Sequence, residues 1–520
     1  MWCGRRRFSG GFRTRSSVCD VHVRKPLDEK GGPLHIVIMD LDHDACYRAV
    51  SLRDSRFDGR FFTGVKTTGI YCRPICPART PHSKNVTFFP TAAAAQERGF
   101  RPCLRCRPET APDLGAWRGT SNTVSRALAL IELGVLNEAS VDDLAERLGV
   151  GERQLRRLFR QHLGASPVAV AQTRRILLAK QLIHETRLPM AEIAFASGFR
   201  SVRRFNEAFL ALFNRSPALL RRAKSAEISA GPKGEIDLLL RYHPPYDWTA
   251  MLEFLRRRAI PGVECVTEDR YARSIELDGE QGTLVVQHSN ENALRATVRF
   301  PKLSSLPTII ARLRRVFDLA ADPLAIGAHL AKDATLAPLV KERPGLRVPG
   351  AWDGFELAIR AVLGQQITVS AATRLAGRLV ANYGEPLIDP DGALTHLFPR
   401  PNVLARAALG GLGLARSRAE ALSSVAATVL ADPRLFEANI ELEDAIRRLR
   451  AIRGIGEWTA QYIALRQLRE PDAFPAADIG LIRAMSSREG REPSSVELLN
   501  RADGWRPWRA YAAQHLWAST

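Results

Sequence analysis

Four cysteines sit in two short hooks. Three residues separate Cys72 from Cys76, two separate Cys103 from Cys106, and 26 lie between the pairs. Four thiolates so placed can close a tetrahedral shell around one Zn²⁺, which is the ligand set of a structural site rather than of an open catalytic one. A metal-bound thiolate is nevertheless held deprotonated at neutral pH and stays nucleophilic. Spacing alone leaves both roles open, a folding staple or an alkyl acceptor. A second chemical stretch is LRAIRGIGEWTAQYIALR, in which Gly454-Ile455-Gly456 separates two segments of helical periodicity. A helix-hairpin-helix turn of this kind aims backbone N–H groups, here around Gly454 and Gly456, at a DNA phosphate without reading sequence. The motif is shared by polymerases, ligases and nucleases and does not by itself define a reaction.

The elements that must position these groups follow from composition and periodicity. A chain of 520 residues is too long for one core and is expected to hold three or four domains. Hydrophobic residues make up 45% of it, so burial is assured. Lys and Arg total 75 against 55 acidic residues, a net charge of +20 that concentrates the chain around polyanions. Double-stranded DNA is the leading partner. No run of 18 apolar residues and no secretory segment occurs, so no membrane partner and a cytoplasmic location are expected. Residues 1–38, rich in Arg, Gly and Ser, are expected to be disordered or an over-extended gene start, with Met39 as the initiator. A compact cysteine module spans 39–112, and a Gly/Pro/Asp-containing linker is expected from Pro108 to Ser121. Residues 121–222 are helical and dense in arginine, with two helix-turn-helix patterns, VDDLAERLGVGERQLRRLFRQHLG and MAEIAFASGFRSVRRFNEAFLALF. Their second helices, near Glu152–His162 and Ser201–Phe213, suit a major groove. Arg153, Gln154, Arg156, Arg157, Arg200, Arg203, Arg204 and Asn206 are candidates for base edges or phosphates. Residues 233–345 mix period-two segments, Gly282–Gln287 and Ala296–Phe300, with helical ones, Trp248–Arg258 and Leu306–Leu319. After the Pro344–Pro349 turn, residues 346–520 read as helices with short Gly/Pro breaks.

Three resemblances sharpen this reading. TTGIYCRPICPART followed by GFRPCLRCRPE, within Phe57–Glu109, resembles the amino-terminal module of the Ada family of methylation-response proteins. That resemblance implies one Zn²⁺ on Cys72, Cys76, Cys103 and Cys106, with Cys72 taking a methyl group from a DNA methylphosphotriester. Four thiolates on Zn²⁺ sum to −2 and alkylating one leaves −1, so less repulsion from phosphate would tighten DNA binding. The paired helix-turn-helix units resemble the AraC-type DNA-binding domain. They imply promoter DNA, with RNA polymerase as a further expected partner. Residues from about Trp352 to Trp517 resemble the AlkA branch of helix-hairpin-helix glycosylases, and Glu235–Val340 resembles its amino-terminal α/β domain. Asp478 in FPAADIGLIR, about twenty residues beyond the hairpin, matches the catalytic aspartate of that family. Trp458, Tyr462 and Trp517 match its pocket for the flipped base, although aromatic residues at helical spacing are usually core. The Leu wedge of the family is replaced by Gln366 in GQQITVS, a side chain long enough to fill the vacated space.

Absences complete the expectation. Glu457 and Trp458 stand where bifunctional relatives carry a Schiff-base lysine, so hydrolysis without β-lyase activity is expected. No cysteine follows Cys265, so an iron-sulfur cluster is not expected, and the PCHR motif of the guanine-specific suicide methyltransferases is missing. The expected fold is multidomain and mainly α with α/β parts. It comprises a small four-cysteine zinc module, a tandem helix-turn-helix, a mixed TBP-like α/β domain and an all-α helix-hairpin-helix glycosylase domain. The expected function is DNA alkylation repair: excision of 3-methyladenine-class bases, joined to methyl acceptance and transcriptional activation. The competing reading is a DNA-binding regulator with a structural zinc and an inactive glycosylase-like domain.

Overall fold

The computed structural model describes residues 41–112, 122–222, 235–437 and 440–519. The expectations for 1–38 and for the body of the linker lie outside the described residues. The cysteine module carries more regular structure than its loop-like sequence suggests. Helix α1 (His43–Leu52) and α2 (Ala92–Glu97) flank a four-stranded sheet of order β3-β1-β2-β4, formed by Phe62–Val65 (β1), Ile70–Cys72 (β2), Val86–Phe89 (β3) and Arg101–Pro102 (β4). Strands of two to four residues give too little alternation to be read from sequence. The segment from Pro108 is not yet linker: Pro108–Thr110 form a buried 3₁₀ turn. Glu109 in that turn accepts from Lys180 Nζ at 2.6 Å, both side chains fully buried. A local sequence reading cannot see that partner, 71 residues away.

The regulator-like segment runs α3 (Asn122–Glu132), α4 (Val135–Glu138), α5 (Val141–Arg147), α6 (Glu152–Leu163), α7 (Pro167–Glu185), α8 (Met190–Ala196), α9 (Val202–Phe213) and α10 (Pro217–Arg222). A Ser140–Asp143 capping box starts α5, and Ser166 with Pro167 starts α7. In α6 the buried stripe is Leu155, Phe159 and Leu163; in α9 it is Phe205, Phe209 and Phe213. The i, i+4 spacing puts each set on one face and leaves the arginines on the other. Helix α7 joins the two units and also serves as a strut. It holds the cysteine module through Lys180–Glu109 and Arg107–Glu185. From the same C-terminal turns Gln181 donates to the Leu239 carbonyl, and Glu185 accepts from the Leu239 N–H.

That carbonyl belongs to the edge strand of an antiparallel five-stranded sheet of order β5-β9-β8-β7-β6: Glu235–Arg241 (β5), Glu264–Val266 (β6), Arg270–Leu277 (β7), Glu280–Ser289 (β8) and Ala293–Arg299 (β9). Helices α11 (Trp248–Arg256), α12 (Leu306–Val316), α13 (Pro323–Leu330) and α14 (Leu336–Glu342) accompany it. One continuous core contains Leu238 and Leu240 of β5, Leu313 of α12 and Phe205 of α9, so regulator and α/β domain share buried surface. The remainder is α15 (Gly354–Leu363), α16 (Val369–Tyr383), α17 (Pro401–Leu404), α18 (Arg416–Ala431), α19 (Leu442–Arg450), α20 (Glu457–Ile463), α21 (Ile479–Glu489), α22 (Ser495–Ala502) and α23 (Arg509–Trp517). It departs from the all-helical expectation at a two-stranded sheet, Pro386–Asp391 (β10) and Leu394–His396 (β11). Its Leu387 and Leu394 pack with Cys265 and Ala272, so this hairpin clasps the α/β domain. Among the described residues no helix is long and apolar enough to cross a membrane.

Candidate active site and metal centre

The cysteine cluster is built by the end of β2 and the loop after β4, which the parallel pairing of Ile70 with Arg101 and Tyr71 with Pro102 brings together. The four Sγ atoms of Cys72, Cys76, Cys103 and Cys106 lie within 4.8 Å of one another. A tetrahedron with Zn–S near 2.3 Å needs S–S separations of about 3.8 Å, so the donor set fits one such ion. Beneath it Arg73 is buried, donating from Nε to Asp58 at 2.8 Å and from a second nitrogen to Thr110 at 2.6 Å. The four sulfurs are not equivalent. Backbone N–H groups of Arg105 and Arg73 donate to Cys103 (3.3 Å) and Cys106 (3.4 Å). Cys72 and Cys76 are half-buried, while Cys103 and Cys106 are buried. An N–H bond draws charge from a thiolate, so Cys103 and Cys106 are the less electron-rich and the less reachable pair.

The second site forms where α20, α21 and α23 meet. Gly454, at φ +88°, turns the chain between α19 and α20, and a Cβ there would come within 2.2 Å of Ala421 Cβ. Gly456 is the N-cap of α20, exposed, with nothing within 4 Å of where its Cβ would be. Gln365 ties the loop after α15 to this hairpin by donating to Gly454 O (2.9 Å) and Thr459 Oγ1 (3.1 Å). The next residue, Gln366, is exposed and held at φ +57°. Trp458 and Tyr462, one turn apart on α20, stack at 5.2 Å with planes 12° apart. Asp478 caps α21, its Oδ1 accepting from Leu481 N at 3.1 Å. Trp458 Nε1 donates to Asp478 Oδ2 at 2.7 Å, and Trp517 Nε1 donates to Oδ1 at 2.8 Å. All four residues that the sequence singled out here are therefore in one place, each half-buried.

The sequence reading missed three contributors. Arg466 lies in a π-helical turn, Ala464–Leu468, that continues α20. Its guanidinium carbon sits 4.8 Å from the Tyr462 ring centroid, 5.7 Å from that of Trp517 and 4.2 Å from that of Phe254. Phe254 and Arg258 arrive from the α/β domain, with Arg258 stacked 3.9 Å over Phe254. Burial pushes the Tyr462 phenol up, but the charges of Arg466 and Arg258 outweigh it and hold the phenol below its ordinary value. Burial also brings Arg466 down to about 10. The spacing of Arg466 from Tyr462 was a usable signal; nothing local points to Phe254 or Arg258.

The regulator residues form two exposed rows. Arg153, Gln154, Arg156 and Arg157 project from α6, and Arg203, Arg204 and Asn206 from α9, with Arg200 exposed just before it. Two are already engaged on their own helices, Arg156 with Glu152 (2.6 Å) and Arg203 with Glu207 (2.8 Å). Arg126 on α3 is buried, bonded to Glu441 (2.7 Å) and Glu470 (3.3 Å), which fixes the first unit against the C-terminal domain.

A cysteine metal centre, a paired helix-turn-helix and an aspartate beside a helix-hairpin-helix together define a regulator joined to a base-excision repair fold. Four family models match in the same order: the metal binding domain of Ada (45–109), a helix-turn-helix domain (144–223), the AlkA N-terminal domain (237–353) and the HhH-GPD superfamily of base excision DNA repair proteins (359–509). The chain belongs to the family of fused AlkA-type activator and repair proteins. It is 40% identical, over 92% of its length and 96% of the relative's, to a "Probable bifunctional transcriptional activator/DNA repair enzyme AlkA" of Mycobacterium tuberculosis. It is 35% identical to the "DNA-3-methyladenine glycosylase 2" of Escherichia coli, over 54% of this chain and 95% of that protein. To the "Bifunctional transcriptional activator/DNA repair enzyme Ada" of the same organism it is 36% identical, over 25% of this chain and 35% of that protein.

Proposed function

We propose that the chain is a DNA-3-methyladenine glycosylase of the monofunctional, hydrolytic kind, fused to a methyl-responsive transcriptional activator. The observation that carries the reading is the meeting of the Asp478 carboxylate with Trp458, Tyr462 and Trp517 beside the Gly454–Gly456 hairpin. In this reading Gly454 and Gly456 hold a phosphate, Gln366 enters the space left by the extruded base, and the aromatic trio stacks on it. The C1′–N bond breaks with its electron pair leaving on the base, and Asp478 stabilises the positive sugar. A water oxygen then bonds to C1′ and releases its proton to solvent. An alkylated purine is already cationic and leaves readily, so no acid is required of the protein.

At the other end Cys72, Cys76, Cys103 and Cys106 would hold one Zn²⁺, which would keep the four sulfurs as thiolates. Cys72 Sγ attacks the methyl carbon of a methylphosphotriester; the S–C bond forms, the C–O bond breaks and the phosphodiester leaves as an anion. The half-buried position of Cys72, against the buried Cys103 and Cys106, supports that choice. Arg153, Gln154, Arg157, Arg203, Arg204 and Asn206 read promoter DNA, where RNA polymerase is recruited. The domains divide near 39–112, 121–222, 233–345 and 346–520, in a cytoplasmic protein without an iron-sulfur cluster. Duplex DNA containing 3-methyladenine tests the enzyme: free base and abasic sites are expected, and no strand scission. Absence of base release overturns the glycosylase reading.

A further inference from the structure

The carboxylate of Asp478 is fixed from three directions: Trp458 on Oδ2, and Trp517 and Leu481 N–H on Oδ1. A carboxylate offers about four acceptor sites, so these three donors leave one, on Oδ2. The two indoles come from separate helices, α20 and α23, and close on the start of α21. At the second residue of α21 stands Gly480, where glycine disfavours the helix relative to alanine. A Cβ at that point would lie 3.0 Å from Asp478 Oδ1 and 3.2 Å from Trp517 Cδ1, tighter than ordinary van der Waals contact. Oδ1 cannot retreat without lengthening the bonds it already accepts from Trp517 and Leu481. Helix propensity has been given up at the one place where a methyl group would press on the carboxylate and its indole partner.

We infer that Trp458, Trp517 and Gly480 form a cradle that positions the Asp478 charge. The two indole N–H groups are its donors and Gly480 is the opening that lets both be made. Trp458 and Trp517 then act twice, by ring face on the base and by ring edge on the carboxylate. This rests on the glycosylase reading of Asp478, and it separates two quantities that a purely stacking role would keep together. Replacing Trp by Phe deletes the N–H and keeps a smaller aromatic face, while Gly480→Ala keeps both indoles and removes only the opening.

In the full chain, Trp458→Phe and Trp517→Phe should each slow single-turnover release of 3-methyladenine about tenfold or more, the cost of one hydrogen bond to a charged group. Affinity for duplex carrying a hydrolysis-resistant 2′-fluoro-7-methylguanine nucleotide should stay within a few-fold, since a phenyl face remains for the base. Gly480→Ala should slow release comparably while thermal stability changes little, alanine's better helix propensity offsetting the lengthened bonds to Oδ1. Rates within threefold of the parent chain for all three variants overturn the cradle, as does a fall in rate matched by an equal fall in affinity. A ¹⁵N-tryptophan spectrum keeps this apart from the glycosylase reading: Asp478→Asn should displace two of the eight indole N–H resonances. Displacement without any base release by the parent chain sinks the glycosylase assignment and leaves the cradle standing; undisplaced resonances sink the cradle.

Discussion

Asparagine at position 478 would keep the shape of the site and remove its charge. Asn is as good an N-cap as Asp, so α21 should still be capped at Leu481 N. The amide oxygen can take the place of Oδ1 toward Trp517, but the amide NH₂ then faces the N–H of Trp458, a donor against a donor. Trp458 is half-buried, so that mismatch should cost about 1 kcal/mol of stability, the low end for an unsatisfied polar group. The kinetic loss should be much larger. Two unit charges about 4 Å apart at an effective dielectric of about 20 attract by about 4 kcal/mol, which is a factor of about 10³ in rate. The assay is single-turnover release of 3-methyladenine by both proteins, with thermal unfolding and abasic-analogue affinity measured alongside. Stability near that of the parent, affinity within a few-fold and a rate down by about 10²–10³ is the expected pattern. A variant within tenfold of the parent refutes the claim that this carboxylate stabilises the transition state, and the competing regulator reading then leads.

On exposure to DNA bearing methylphosphotriesters, mass spectrometry should find one added methyl group on Cys72 and none on Cys76, Cys103 or Cys106; modification of Cys103 or Cys106 would contradict the hydrogen-bond ranking. Arg204→Ala removes an exposed cation of α9, and should weaken promoter binding and lower the slope of log K against log salt by about 1. Burial lowers His515 to about 4 against an ordinary 6.5, so between those values the unfolded chain binds the extra proton and stability falls as pH drops. The group should cost about 2–3 kcal/mol between pH 7.5 and 4.5, a slope that His515→Gln should remove in urea midpoints at the two pH values. Arg126→Ala strands Glu470 in a buried position, at about 3–5 kcal/mol locally. It should speed proteolytic separation of the regulator from the C-terminal half, and unchanged cleavage would show that this contact does not hold them.

The sequence alone carried the local chemistry. Cysteine spacing predicted a four-sulfur cluster because two short hooks can each chelate without help from the rest of the fold. Helical periodicity located α6 and α9 and put their arginines on the outer face, since a buried stripe at i, i+4 leaves no other side free. The Gly-x-Gly turn was legible for the same reason, as a short-range feature, whereas Asp478 was singled out by its resemblance to the family's aspartate. What the tertiary structure decided is every relation between side chains distant in the chain. Trp458, Asp478 and Trp517 lie on three helices, and only their packing aims two indole N–H groups at one carboxylate. Phe254 and Arg258 reach the same pocket from another domain, and Lys180 finds Glu109 across a domain boundary. Periodicity says which face of a helix is buried but not against what, because burial is rewarded by any apolar neighbour. A buried charge or a fixed hydrogen bond needs one particular partner, and that partner exists only once the chain has closed.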